Sequence, residues 1–211
     1  AVETRARGSP GIMEVCAPPR WARWAAEFGV GDGGAHDLET GWDARRPEDL
    51  DQLFHDIEAQ DPFIISCSPP RGKLSPLQAL TASLKRKDPE KFEQEVQEAI
   101  SFIILCLEIA EWQIMRGRHF VFEQSRGSSA WSLGEMVNFL SENGPFVAEA
   151  AACRFGKRDL ESGELFGKIW RFMSDVPEVI QAVDRQCQGG HAHQEVSAIG
   201  GGMKRSARSQ V

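Results

Sequence analysis

At 211 residues, with 41% hydrophobic residues and a formal net charge of −7, the chain has the size and composition of one globular domain. Its longest apolar run, Phe102 to Leu107, is far short of the ~20 residues that span a bilayer, so membrane insertion is not expected. The negative balance opposes strong nonspecific binding of nucleic acid, and the local exceptions, Lys85-Arg86-Lys87 and Lys204, Arg205 and Arg208, read as solvated loop and tail charges.

Residues 1–10 are polar, with Gly and Pro, and read as a flexible lead-in. Gly11 to Cys16 is a first strand closed by Ala17-Pro18-Pro19, and Arg20 to Phe28 has helical character with Trp21 and Trp24 on one face. A glycine cluster (Gly29, Gly31, Gly33, Gly34) breaks that helix, and Ala35 to Glu39 is a second strand. Pro47 starts a helix in which Leu50, Leu53, Phe54 and Ile57 follow the i, i+3, i+4, i+7 spacing. Pro62 to Cys67 is an apolar strand running into Ser68-Pro69-Pro70-Arg71. Asp88-Pro89 supplies an N-cap and a first-turn proline for the longest helix, about 89–116, which Gly117 ends. His119 to Gln124 is a strand, and Ser132 with Glu135 forms a capping box ahead of Met136, Val137 and Leu140.

Phe146 to Cys153 is a weaker strand, Glu161 to Gly167 a loop and Ile169 to Met173 another strand. Asp175 with Pro177 opens a helix to about Gln186, and 188–211, rich in Gly, Ser and His, reads as a partly disordered tail. The alternation of strand and helix predicts a doubly wound, mostly parallel α/β sheet over 11–187, with helices on both faces. The five cysteines are scattered. Cys16, Cys67 and Cys106 lie in apolar runs and read as reduced core thiols, and the start shows no charged-then-apolar leader, so an intracellular protein is expected.

Open α/β sheets bind ligands at the carboxyl ends of their strands. Those ends carry Glu14 and Cys16, Asp37 and Glu39, Ser68, Pro69, Pro70 and Arg71, and Glu123 with Gln124. An acid after the second strand is well placed to accept hydrogen bonds from ribose hydroxyls. No GxGxxG follows the first strand, which points to a single-nucleoside cofactor without a diphosphate.

The Ser68-Pro69-Pro70 loop after an apolar strand, with Phe122-Glu123 closing a later strand, resembles the S-adenosylmethionine-dependent cytosine-C5 DNA methyltransferases. The stretches IMEVCAPPR, AHDLETGWD, IISCSPPRGKLSPLQAL, FVFEQ, CRFG, RFMSD and CQGGHAHQ are similar to a compact, divergent form of that domain found in retroelement-type polyproteins. The resemblance implies a class I methyltransferase fold of the Rossmann-like kind. It also implies S-adenosyl-L-methionine as cofactor near Glu14, Cys16, Asp37, Glu39, Ser68 and Pro69, and a base-edge contact for Glu123. In such enzymes the residue after Pro-Pro is a cysteine whose thiolate attacks C6 of a flipped-out cytosine. Here that position is Arg71, a permanent cation that cannot be the nucleophile.

The implied function is therefore DNA methylation lost: a pseudoenzyme inactive for the cytosine reaction. Two alternatives stand beside it. One is an active methyltransferase that transfers directly to another substrate, with Arg71 holding an anionic group. The other is a repurposed scaffold in a larger assembly with protein partners. Other departures are Gln124-Ser125-Arg126, Ala150-Ala151-Ala152, and Ile169-Trp170 at loop positions where the family has polar residues or proline. Finally, Cys187, His191 and His193 form a C-x3-H-x-H cluster, a weak metal candidate that matches no strong zinc template and would need a fourth ligand from elsewhere in the chain, and Trp42 and Trp131 are candidates to stack on a base.

Overall fold

The computed structural model describes residues 11–70, 74, 88–159 and 162–194. Arg71, the two basic clusters, the lead-in and the end of the tail lie outside the described residues.

The sheet has six strands: β1 (Ile12–Val15), β2 (Asp32–His36), β3 (Ile64–Cys67), β4 (His119–Ser125), β5 (Phe146–Ala151) and β7 (Ile169–Ser174). Their order is β2-β1-β3-β4-β7-β5. β2, β1, β3 and β4 run parallel, while β7 is antiparallel to both of its neighbours. The expected α/β architecture with a mostly parallel sheet is thus present, and β7 is the exception. The reason lies in the connections. Parallel neighbours need a long crossover, normally a helix. The described part of the segment between β5 and β7 holds only a 3-10 turn (Ala152–Phe155) and the two-residue strand β6 (Leu165–Phe166), so the chain turns back beside β5.

Helices α2 (Pro47–Gln60), α3 (Pro89–Met115) and α4 (Gly134–Asn143) cover one face. Their Leu53, Ile57, Ile103, Ile109, Met136 and Phe139 enclose Met13, Val15, Ile65, Phe120, Phe122 and Met173 of the strands, all 0–1% exposed. The short α1 (Trp21–Ala25) and α5 (Pro177–Val183) lie on the other face, over a smaller core of Val121, Ala148, Ala150, Phe172 and Ile180. The alternation of strand residues explains the split: Phe120 and Phe122 point one way and Val121 the other.

Several boundaries differ from the sequence expectation. β2 occupies 32–36 rather than 35–39, because Gly33 is needed inside the strand: a Cβ there would lie 2.7 Å from the Ile12 carbonyl oxygen. Asp88 caps α3 as expected, accepting the Lys91 N–H at 3.0 Å. The Ser132–Glu135 capping box does not form. Ser132 sits in a 3-10 turn, where its hydroxyl donates to the Ser129 carbonyl, and Leu133 occupies the N-cap. Asp175 likewise does not cap α5. β4 recruits its carboxylate through His119 Nδ1 (2.6 Å) and the Phe120 N–H (3.1 Å). Residues 188–194, expected to be loose, pair with β6 through β8 (His193–Gln194).

Candidate functional site

The chain leaves β1 for β2 on one side, then crosses through α2 to β3 on the other side of β1. Successive connections therefore diverge at the β1–β3 boundary, the topological switch point where open α/β sheets form a crevice. The pairing register sets the height of its walls. Val15 lies opposite both His36 and Cys67, and Cys67 lies opposite Phe122. The next residue of each strand path, Asp37, Cys16, Ser68 and Glu123 in spatial order, therefore shares one level at the carboxyl rim. At ~4.8 Å per strand the row spans roughly 14 Å.

Each rim residue has local causes. Cys16 adopts φ 55°, the left-handed region, and its N–H donates to the His36 carbonyl at 2.9 Å. Pro18 and Pro19 follow and have no N–H, so these two positions offer no backbone donor to a ligand. Asp37 caps the 3-10 turn Leu38–Thr40: one carboxylate oxygen accepts the Glu39 N–H at 2.9 Å, while Thr40 Oγ1 accepts the Asp37 N–H. Glu39 is exposed on that turn. The Ser68 N–H donates to the Val15 carbonyl, which ties the Pro-Pro loop to β1.

Pro69 is buried, and the Gln124 amide donates to its carbonyl at 2.8 Å. Gln124, in sequence a departure from a proline-containing loop, thus clamps β4 to the Pro-Pro loop, a role that residue type alone could not reveal. Leu74 is held the same way, its carbonyl accepting from the Ser128 and Ser129 hydroxyls at 3.3 Å.

Glu14 is not at the rim. It is fully buried on the α1 face, where one carboxylate oxygen accepts the N–H groups of Arg20 (2.7 Å) and Trp21 (2.9 Å) at the start of α1. It holds the loop after β1 rather than standing with the rim residues named for cofactor contact. Trp42 is buried at 8% exposure with its indole N–H on the Asp49 carbonyl, and Trp131 packs edge-on to Phe122 with its N–H on Ser125. Neither ring is presented for stacking on a base.

Glu123 faces two ways. Its carboxylate lies 3.5 Å from the Ser68 hydroxyl, and it lines a hollow of about 650 Å³ between α1 and the sheet. The rest of that lining is aromatic and apolar, notably Trp21, Trp24, Phe28, Phe155, Trp170 and Phe172, with Arg20 and Lys157 as its cations. A volume of that order accommodates a nucleobase or a small organic ligand. Ala150 of β5 belongs to the lining, and its small side chain leaves room there. Of the rim row, Glu123 alone reaches the hollow; Asp37, Cys16 and Ser68 border the crevice instead.

Below the crevice, the thiols of Cys16, Cys67 and Cys106 meet. All three are reduced, and burial, together with the two neighbouring thiols, pushes the Cys106 thiol well up. Cys67 is 1% exposed and faces the α2–α3 side. Cys187, His191 and His193 gather away from this rim, beside β8, together with Cys153. Among the described residues no helix is long and apolar enough to cross a membrane. Compared with known proteins, the chain matches no family model and no curated sequence.

Proposed function

We propose that the chain is a methyltransferase-like domain, derived from the cytosine-C5 type it resembles, that binds S-adenosylmethionine or its demethylated product and has lost the covalent step. The observation that carries this reading is the rim row at the switch point, with Asp37, Cys16, Ser68 and Glu123 at one level and two acids at its ends. Asp37 would accept hydrogen bonds from ribose hydroxyls, with Cys16, Ser68 and Pro69 bordering the nucleoside. Bound there, S-adenosylmethionine would supply an electrophilic methyl group. Glu123, at the mouth of the hollow, would meet the edge of a base.

What is lost is the nucleophile. Arg71 keeps its proton at any physiological pH. Among the described rim residues no thiol takes over: Cys67 faces the opposite core, and Cys16 packs against Cys106.

Calorimetry with S-adenosylmethionine and S-adenosylhomocysteine tests the reading, paired with a methyl-transfer assay on cytosine-containing DNA. The expected result is sub-millimolar binding of both ligands, weakened at least about tenfold in Asp37→Ala, with no transfer to cytosine. Transfer by the natural chain would overturn the claimed loss, and transfer to oxygen or nitrogen would favour the direct-transfer enzyme. No binding at millimolar ligand would leave the scaffold reading, which the exposed Trp24 and Phe28 around the hollow favour.

A further inference from the structure

A convergence of cysteine and histidine side chains able to hold a metal ion lies about β8, outside the rim. Cys153 comes from the 3-10 turn after β5, Cys187 from the segment after α5, and His191 and His193 from the run into β8. The four donor atoms all lie within 4.8 Å of one another.

We propose that Cys153, Cys187, His191 and His193 bind one zinc ion as a structural Cys2His2 site. The distances carry the assignment. Tetrahedral zinc, with Zn–S of about 2.3 Å and Zn–N of about 2.0 Å, holds sulfur and nitrogen about 3.5 Å apart. Cys187 Sγ lies 3.6 Å from His191 Nε2 and 3.7 Å from His193 Nε2. The two Nε2 atoms stand 2.9 Å apart, a few tenths of an ångström inside the ~3.3 Å of a tetrahedral pair, with the rings nearly perpendicular at 83°. Both histidines thus aim the same nitrogen at one point.

The backbone is shaped for this. Gly189 and Gly190 have φ 73° and 77°, which lets the chain double back between Cys187 and His191. The Gly189 N–H points at Cys187 Sγ at 3.4 Å, the outer hydrogen bond that a thiolate ligand takes. Arg154, next to one ligand, donates to Gln188, next to another, at 2.9 Å. Gly167 leaves room for His193: a Cβ there would stand 3.2 Å from the histidine Cβ.

Binding is a simple exchange with no redox step. Both thiols release their protons to solvent and both imidazoles bind neutral, so two thiolates balance the dication. The site fastens the β6–β8 ribbon to the end of β5, which gives the Gly- and His-rich run 188–194 a fixed course.

The test is metal analysis of the whole chain purified under reducing conditions without added chelator. One zinc per chain is expected. Cobalt substitution should give the intense visible bands of a tetrahedral thiolate site. Cys153→Ser, Cys187→Ser, His191→Asn and His193→Asn should each lose more affinity than the 10–100-fold of about an outer-shell defect. Exposed His55→Asn should bind as the natural chain does.

Because a ligand variant can fail to fold, alkylation of the natural chain gives a second readout. Cys153 and Cys187 should resist iodoacetamide with zinc bound and react once a chelator has removed it. A metal-free chain with no cobalt spectrum would overturn the proposal. So would a Cys153–Cys187 disulfide, or alkylation that ignores zinc.

Discussion

On one face of the sheet, three helices seal Phe120, Phe122 and Met173 away from water; on the other, α1 has five residues and leaves Trp24 46% and Phe28 79% exposed around a hollow. The same strands build both faces, so the contrast comes from what is laid over them. The sealed face supplies stability. The open face keeps side chains such as Glu123 within reach of a ligand, at a cost in burial. Regions with few buried apolar contacts open first, and α1 is such a region.

The sharpest test of this contrast sets one aromatic truncation against another. Phe139 is 1% exposed and meets Phe120 edge to face at 5.6 Å. Phe139→Ala should cost about 3–5 kcal/mol in denaturant unfolding, the range for a sealed core aromatic. Phe172 is 9% exposed and lines the hollow, so Phe172→Ala enlarges a space already open and should cost about half as much or less. Equal losses would erase the distinction between the faces.

The open face is itself held by a buried carboxylate. Glu14→Gln replaces a charged acceptor of two backbone N–H groups by a neutral one, with an expected loss of about 1–3 kcal/mol. Amide exchange in α1 should accelerate while that of α3 keeps its pace relative to global unfolding. Uniform change across both helices would show that α1 has no separate opening.

The smallest effect belongs to Asp61, on the sealed side, where α2 ends. Its carboxylate pairs with Arg118 and, at 3.0 Å, with Arg116. The hydrogen bond from Arg118, then that from Arg116, holds its carboxyl below the usual range against the opposing pull of burial. The folded value lies below the unfolded one. The stabilisation is therefore complete above the ordinary carboxylate value of about 3.9 and disappears as pH falls through the folded value. The side chain is about a third exposed, so Asp61→Asn should cost at most about 1 kcal/mol at neutral pH. The gap from the natural chain should close on acidification, and a gap that persists at low pH would show that the ion pairs with Arg116 and Arg118 are not its source.

Much of the sealed face was legible in the sequence, because Leu53 and Ile57 in α2 and Ile103, Leu107 and Ala110 in α3 follow the helical period that burial imposes. The strands β1, β3 and β4 were equally plain as short apolar runs, and their ends gave Cys16, Ser68 and Glu123. What stayed hidden depends on partners distant in sequence. Gly33 lies inside a strand because of the Ile12 carbonyl, Asp175 serves His119 rather than α5, and Gln124 serves Pro69. Cys153 joins Cys187 across 34 positions only because β7 brings α5 back to the end of β5. No local pattern records any of these, whereas the C-x3-H-x-H spacing recorded three quarters of a cluster.

The placement of β7 also orders assembly in time. β5 is made before β7, yet it touches β4 only through β7, so during synthesis β5 has no sheet to join until Ser174 has emerged. For that interval β4 is a bare edge, apolar at Phe120, Val121 and Phe122 and open to strands of other molecules. A ribosome pausing between β5 and β7 would hold the chain at its most aggregation-prone length.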